Sequence, residues 1–319
     1  MAPFDGLLAC PACEDALAAD WSCPRCQTKY DAPEGILNLR LAGDPRVETV
    51  RHFYAQSPFP GYPAHDTLTW LRTRAERSDF ARKLDRAIAF DARIAEIGCG
   101  TGQMSLYLAR GKRVIVAADL ARESLHLAAD AARRLGLERV QFVESDLMRP
   151  GLRAGAFDVV YASGVLHHTP DPRAAFAKVV RLARPGGTIV IGLYNAFARL
   201  PLRARRVVAR LSGYRMIPFD PVLRDRRDEP ARREAWLRDQ YRHPEEHRHT
   251  LAEVRRWFVE NGVEYIRAYP SALIGRDDDD DLLQSEVDDW RIEGWLAQLG
   301  WMRKLGHEGG LFMTIGRLR

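Results

Sequence analysis

One stretch narrows the folds open to this chain more than any other: Arg93-Ile-Ala-Glu-Ile-Gly-Cys-Gly-Thr-Gly-Gln-Met-Ser-Leu-Tyr-Leu-Ala109. Ile94, Ala95 and Ile97 make a short apolar run that suits a strand buried in a parallel sheet. Gly98, Gly100 and Gly102 follow as a turn whose backbone can bend freely and approach a ligand closely. From Met104 the period becomes helical, with Met104, Tyr107 and Leu108 on one side. Strand, glycine turn and helix open an α/β unit of the kind that holds a nucleotide-like ligand at a helix N-terminus.

The spacing is Gly-x-Gly-x-Gly, not the Gly-x-Gly-x-x-Gly of dinucleotide folds. Glu96 precedes the first glycine, where its carboxylate would repel a pyrophosphate but suit an ammonium group. On these residues, Glu96-Ile-Gly-Cys-Gly-Thr-Gly102 resembles the first motif of class I methyltransferases dependent on S-adenosylmethionine (SAM), in their type 11 form. SAM carries an ammonium group beside a sulfonium and a carboxylate. The resemblance implies that Gly98, Gly100 and Gly102 shape the loop around its methionine moiety and that Glu96 supports them. It also counts Cys99, Thr101 and Gln103 among the cofactor-binding residues, with Cys99 expected to pack and not to react.

The next segments alternate strand and helix. Arg113–Asp119 reads as a buried strand ending in an acid, and such a carboxylate can accept both hydroxyls of a ribose. Ala121–Leu135 is an amphipathic helix and Val140–Val143 a third strand. A fourth strand, Phe157–Ala162, leads into Ser163-Gly-Val-Leu-His-His-Thr-Pro170. Arg184–Gly187 reads as a turn before a fifth strand, Thr188–Tyr194. After a helix over Leu251–Glu260 come Val263–Tyr269 and a closing strand over Gly310–Gly316. The expected fold is α/β, a doubly wound and largely parallel sheet. The resemblance makes it a Rossmann-like seven-stranded sheet of order 3-2-1-4-5-7-6, with the last strand antiparallel beside the fifth. By the same resemblance Asp119 and Leu120 hold the ribose, Asp146 and Leu147 the adenine, and Ser163 and His168 lie at the methionine end.

Four of the five cysteines form two Cys-x-x-Cys pairs, Cys10 with Cys13 and Cys23 with Cys26. Two such knuckles complete a closed tetrahedral four-thiolate site for structural Zn²⁺. A segment this short needs such a staple to fold. Residues 1–40 therefore read as a zinc ribbon, structural or substrate-docking in role. It resembles the ribbons at the N-terminus of certain rRNA guanine methyltransferases and in small methyltransferase-activating proteins.

The remaining domain boundaries are a helical lead-in over 41–92 and a methyltransferase domain over 93–319 with a helical insertion at 196–250. Phe53-Tyr54 and Pro58-Phe-Pro-Gly-Tyr62 form an aromatic and proline cluster that is not a regular helix. It is either a loop on the core or a lid carrying Tyr54, Phe59 or Tyr62. The insertion is rich in arginine, interleaved with acids such as Glu234, so it reads as a salt-bridged surface or as an RNA contact. His243 and His247 are spaced as a metal pair, but Pro244 argues for a helix start there. Thr250 is expected to cap the following helix with Glu253 completing a capping box. The acidic run Asp277–Asp281 reads as a loop, and Trp290, Trp295 and Trp301 as core or interface. Net charge is +5, and nearly all the positive charge is arginine, which permits an anionic partner without requiring one. No apolar stretch is long enough to cross a bilayer, and the opening Met1–Asp5 is no signal peptide, so a cytoplasmic location is expected.

Methyl transfer from a sulfonium is an in-line displacement by an already activated donor. The enzyme aligns acceptor, methyl carbon and sulfur and excludes water, and needs a base only if the acceptor must lose a proton. His167, His168 and Tyr194 are the candidate catalytic residues, with Asn195 beside them at the acceptor. The chain lacks an Asn-Pro-Pro-Tyr motif after the fourth strand, unlike enzymes that methylate adenine or glutamine nitrogens. Leu166-His-His-Thr-Pro-Asp-Pro172 is similar instead to enzymes acting on small molecules such as quinones and natural products. The expected function is thus methylation of a small-molecule or lipid-like acceptor. The alternatives are methylation of rRNA or tRNA, and a non-catalytic SAM-binding activator, against which the full set of cofactor residues argues.

Overall fold

The structure is a computed structural model that describes residues 3–41, 43, 45–56, 58, 60–225, 229–242, 246–273, 281–286, 291–305 and 309–319. Its strands are β1 (Ile36–Asn38), β2 (Arg93–Ile97), β3 (Val114–Asp119), β4 (Val140–Glu144), β5 (Phe157–Ser163), β6 (Ala183–Tyr194), β7 (Val263–Tyr269) and β8 (Leu311–Leu318). Its helices are α1 (Pro45–Ala55), α2 (Leu68–Ala75), α3 (Asp79–Ala87), α4 (Gln103–Leu108), α5 (Arg122–Arg134), α6 (Pro172–Val180), α7 (Leu200–Leu211), α8 (Pro221–Asp225), α9 (Pro230–Arg242), α10 (Leu251–Glu260) and α11 (Arg291–Lys304).

One sheet carries these elements in the order β1-β4-β3-β2-β5-β6-β8-β7. Without β1, this is the seven-stranded order that the family resemblance implies, and β8 runs antiparallel to both β6 and β7. Successive residues of each strand point to opposite faces. Ile94, Ile115 and Val159 thus join a core beneath α3, α4 and α5, where Leu125, Ala128 and Ala132 recur at helical spacing. Ala95, Val116 and Val160 join a second core beneath α6 and α10.

Three details differ from the sequence reading. Ile36–Asn38, read as the tail of the cysteine segment, is an eighth strand parallel to β4. Ile36 and Leu37 are fully buried, but three residues are too few for a period to reveal a strand. Second, Arg184–Gly187 lies inside β6 and not in a turn before it. The ladder absorbs these residues as an irregularity, its register shifting between Phe157 and Val159. Third, α1 runs through Phe53 and Tyr54 because the first disrupting proline comes only at Pro58. Phe59 lies outside the described residues, as do Asp277–Asp280, Trp290, His243 and Pro244.

After β6 the insertion forms α7, α8 and α9. Leu202 and Ala209 of α7 and Tyr241 of α9 close a small apolar cluster of their own. Its arginines divide between two roles. Arg199 is buried, donates to Gln240 Oε1 at 2.8 Å and to Glu246 Oε2 at 2.7 Å, and lies over the Tyr194 ring. Arg206 also pairs with Glu246, at 2.5 Å, while Arg203 and Arg210 are exposed. Thr250 caps α10 as expected, but Glu253 Oε1 turns to His249 Nδ1 at 3.0 Å. Among the described residues no helix is long and apolar enough to cross a membrane.

Candidate functional site

The C-terminal ends of β2, β3, β4 and β5 converge on one cavity of about 190 Å³, where open parallel sheets place their ligands. The glycine loop after β2 forms one wall. Gly98, Gly100 and Gly102 have φ of 72°, 53° and 75°, a region that disfavours any side chain. A Cβ at Gly98 would collide with Val165, and one at Gly102 would meet Ala128 Cβ at 2.9 Å. At Gly100 it would meet nothing within 4 Å. The outer glycines therefore serve packing, and the middle one leaves bare backbone beside the ligand space.

Asp119 ends β3 and is locked in place. Its Oδ2 accepts from Gly100 N–H at 2.7 Å and its Oδ1 from Ala121 N–H at 2.8 Å. Burial raises its pKa, and the N–H groups of Ala121, Gly100 and Leu120 oppose that shift. A carboxylate offers about four lone-pair sites, so each oxygen keeps one for a ligand hydroxyl. This suits the two hydroxyls of a ribose. Leu120, Asp146 and Leu147 line the same cavity, Asp146 Oδ1 being held by Met148 N–H at 2.9 Å.

Helix α1 supplies the facing wall through Val47, Val50, Arg51 and Tyr54. Only Tyr54 stood out in the sequence, because α1 has no strong apolar stripe to announce a buried face. Gly164 and Val165, just past β5, also line the cavity and were missed beside Ser163. The positive φ of Gly164, 77°, is a requirement that a lone glycine in a loop does not advertise.

Not all expected residues meet there. Glu96, Cys99, Thr101, Gly102, Gln103, Ser163, His167 and Tyr194 do not line the cavity. Burial pushes the Cys99 thiol well above its ordinary range, which disfavours the thiolate. The Thr101 carbonyl accepts from Tyr62 O–H at 2.8 Å, which ties the lead-in segment to the loop. Ser163 Oγ faces Met313 Sδ at 3.5 Å. Of the two histidines, His168 lines the cavity, 6.3 Å from the Tyr54 ring centre to centre. His167 is fully buried against the Tyr194 ring at 3.8 Å, and the Tyr194 hydroxyl accepts from Gln240 Nε2 at 2.8 Å. Asn195 is a buried cap whose Oδ1 accepts from Phe197 and Ala198 N–H. These three form a polar layer behind the cavity.

Glu96 lies beneath the glycine loop, where Ser105 O–H donates to its Oε2. Burial pushes its pKa up to about 7; the Ser105 bonds oppose this and the Asp119 charge adds to it. The folded chain therefore holds this proton more tightly than the unfolded chain. Its stabilising contribution is complete below about pH 4.5 and is lost as the pH rises to about 7, roughly 3 kcal/mol in all. Glu96→Gln should unfold at higher urea than the wild type at alkaline pH and show a flatter profile across that window. Equal slopes would refute the assignment.

Away from this cavity, the Sγ atoms of Cys10, Cys13, Cys23 and Cys26 all lie within 4.8 Å of one another. Glu14 and Gln27, the residues after each pair, have φ of 61° and 58°, so both knuckles turn alike. Tyr30 Oη is 3.0 Å from Cys10 Sγ. Zinc–sulfur bonds of about 2.3 Å in a tetrahedron set sulfurs just under 4 Å apart, so the donor set fits zinc. The knuckles are not free of the sheet: Ala9 N–H donates to the Gly151 carbonyl and Arg153 N–H to the Leu7 carbonyl.

Residues 95–191 match the family described as Methyltransferase domain. An uncharacterized protein of Synechococcus is 29% identical over 273 residues, covering 74% of this chain and 64% of its own. A ubiquinone biosynthesis O-methyltransferase of Xanthomonas oryzae is 35% identical over 159 residues, covering 46% of this chain and 61% of its own. The chain thus spans less than two thirds of the length of these curated relatives. Among solved structures, magnesium protoporphyrin IX methyltransferase of Synechocystis, with bound SAM, is similar at TM-score 0.47 and 13% identity, over 88% of this chain and 100% of its own.

Proposed function

We propose that this chain, whose residues 95–191 are a methyltransferase domain, transfers a methyl group from SAM to a small-molecule or lipid-like acceptor. The observation that carries the reading is Asp119: a carboxylate fixed by two backbone N–H groups, with its remaining lone pairs turned to a cavity that Gly100 leaves open. Bound SAM supplies an activated methyl group. Asp119 and Leu120 hold its ribose, Asp146 and Leu147 its adenine, and the glycine loop its amino-acid end. Val47, Val50 and Tyr54 of α1 cover the cavity and exclude water. His168 faces the same space and orients the acceptor or takes its proton. The acceptor class is supported by Val47, Val50 and Tyr54 on the α1 wall and by similarity to a relative named for ubiquinone biosynthesis.

Methyl-labelled SAM incubated with the protein and a cell extract tests this directly. Label should partition into the organic or small-molecule fraction. Label in nuclease-released RNA would replace the acceptor class with RNA, and no transfer to any fraction would leave the non-catalytic reading. His168→Ala should lower turnover by about 10²-fold with little change in SAM affinity. Unchanged turnover would take His168 out of the chemistry.

A further inference from the structure

Helix α7 is apolar on two opposite sides, and only one of them is packed. At about 100° per residue, Leu202 and Ala209 share the face buried in the cluster with Tyr241. Leu200, Ala204, Val207, Val208 and Leu211 fall in a second stripe on the far side. Val207 is 58% exposed and Leu211 85%, and the turn that follows adds Met216 at 62% and Phe219 at 91%. Seven of the twelve large apolar residues exposed among the described ones lie within 200–219. Single exposed apolar residues are ordinary, but a contiguous group on one helix and its turn is a contact surface.

The charges around this stripe identify its partner. Between Arg199 and Phe219 the chain carries Arg199, Arg203, Arg205, Arg206, Arg210 and Arg215, and no acidic residue. Arg199 and Arg206 are committed to Glu246. Among the described residues no carboxylate pairs with Arg203, Arg210 or Arg215. Arg203 and Arg210 border the apolar stripe on one side. Together with Leu200, Val207 and Arg248 they line a groove of about 450 Å³. Four arginines of this groove, Arg203, Arg206, Arg210 and Arg248, face the single carboxylate of Glu246. Phe219 moreover holds φ of 54°, a strained backbone for an aromatic side chain, and leaves its ring in solvent.

We propose that α7 and the turn through Phe219 form a membrane-surface anchor. Leu211, Met216 and Phe219 enter the headgroup boundary of an anionic bilayer, and Arg203, Arg210 and Arg248 receive lipid phosphates. A basic helix with an unpartnered apolar stripe lies in the plane of an interface, held by buried apolar area and by attraction to anionic lipid. The anchor does not depend on the methyl-transfer reading. It would bring the insertion that begins directly after β6 to a surface where lipid-like molecules reside.

Sedimentation of the full chain with vesicles tests it. The protein should pellet with phosphatidylcholine vesicles containing phosphatidylglycerol, and not with phosphatidylcholine alone, and raised salt should release it. Leu211→Glu with Phe219→Glu should abolish pelleting. Arg203→Glu with Arg210→Glu should weaken it by at least about tenfold, each arginine contributing about fivefold. All four positions are exposed, so circular dichroism and thermal unfolding of both variants should match the wild type. The proposal is overturned if the wild type ignores anionic vesicles, or if the folded variants pellet equally. It is also overturned if the lipid-free wild type is a dimer that Leu211→Glu with Phe219→Glu makes monomeric, since a second copy then covers the stripe. RNA that binds through the same arginines and excludes vesicles would overturn it as well.

Discussion

Asp119→Ala should lower SAM affinity by a factor of about 10² to 10⁴ in isothermal titration calorimetry. The carboxylate would accept two ribose hydroxyls, and hydrogen bonds to a charged group contribute about 1.5–3 kcal/mol each. The substitution also orphans Gly100 N–H and Ala121 N–H, which together set the shape of the glycine loop. Part of the loss will therefore come from the loop, and Asp119→Asn separates the two contributions. An amide keeps one acceptor oxygen, so it can hold one N–H but turns its NH₂ against the other. An intermediate affinity is expected for Asp119→Asn, with a melting temperature closer to the wild type. A folded Asp119→Ala protein that binds SAM as tightly as the wild type would refute the ribose assignment.

What the sequence disclosed of this site follows the length of the signal. Gly98 to Gly102 and the acid closing β3 are short-range features, each fixed by one strand end and the turn after it, and so they were readable. The wall opposite was not. Val47, Val50 and Arg51 reach the cavity only because α1 folds back across the sheet, a long-range placement that no local period encodes. The histidine pair shows the same limit from the other side. His167 and His168 are chemically identical in the sequence. The 3₁₀ turn Leu166–His168 sends the first into the Tyr194 layer and the second to the cavity. Tyr194 likewise ends a strand at the correct edge of the sheet, yet Gln240 and Arg199 of the insertion hold it in the layer behind. The alternation of strand-like and helical runs made a doubly wound sheet legible, while its strand order came from the family resemblance. The eighth strand was hidden by its length of three residues.

The four thiols should hold one zinc, and its removal should be felt beyond the cysteines. Native mass spectrometry should find one zinc per chain, absent in Cys10→Ser and Cys23→Ser. Leu7 and Leu8 belong to the main core, and the segment is stitched to Gly151 and Arg153 by backbone hydrogen bonds. Without zinc the knuckles have no other covalent or metal cross-link, and a ribbon this small cannot remain ordered by its own apolar burial. The sheet edge then loses a packed layer, a loss of about 4 kcal/mol or more, in line with removal of a structural metal. The stitched residues lie only a few positions beyond Asp146 and Leu147, which line the cavity. Their loosening should weaken SAM binding, by less than Asp119→Ala because the ribose carboxylate and glycine loop stay intact. Chelation should therefore lower the melting temperature strongly and SAM affinity modestly, and added zinc should restore both. A protein that contains no zinc as isolated and unfolds at the same temperature with and without chelator would show that these four thiols do not hold a structural metal.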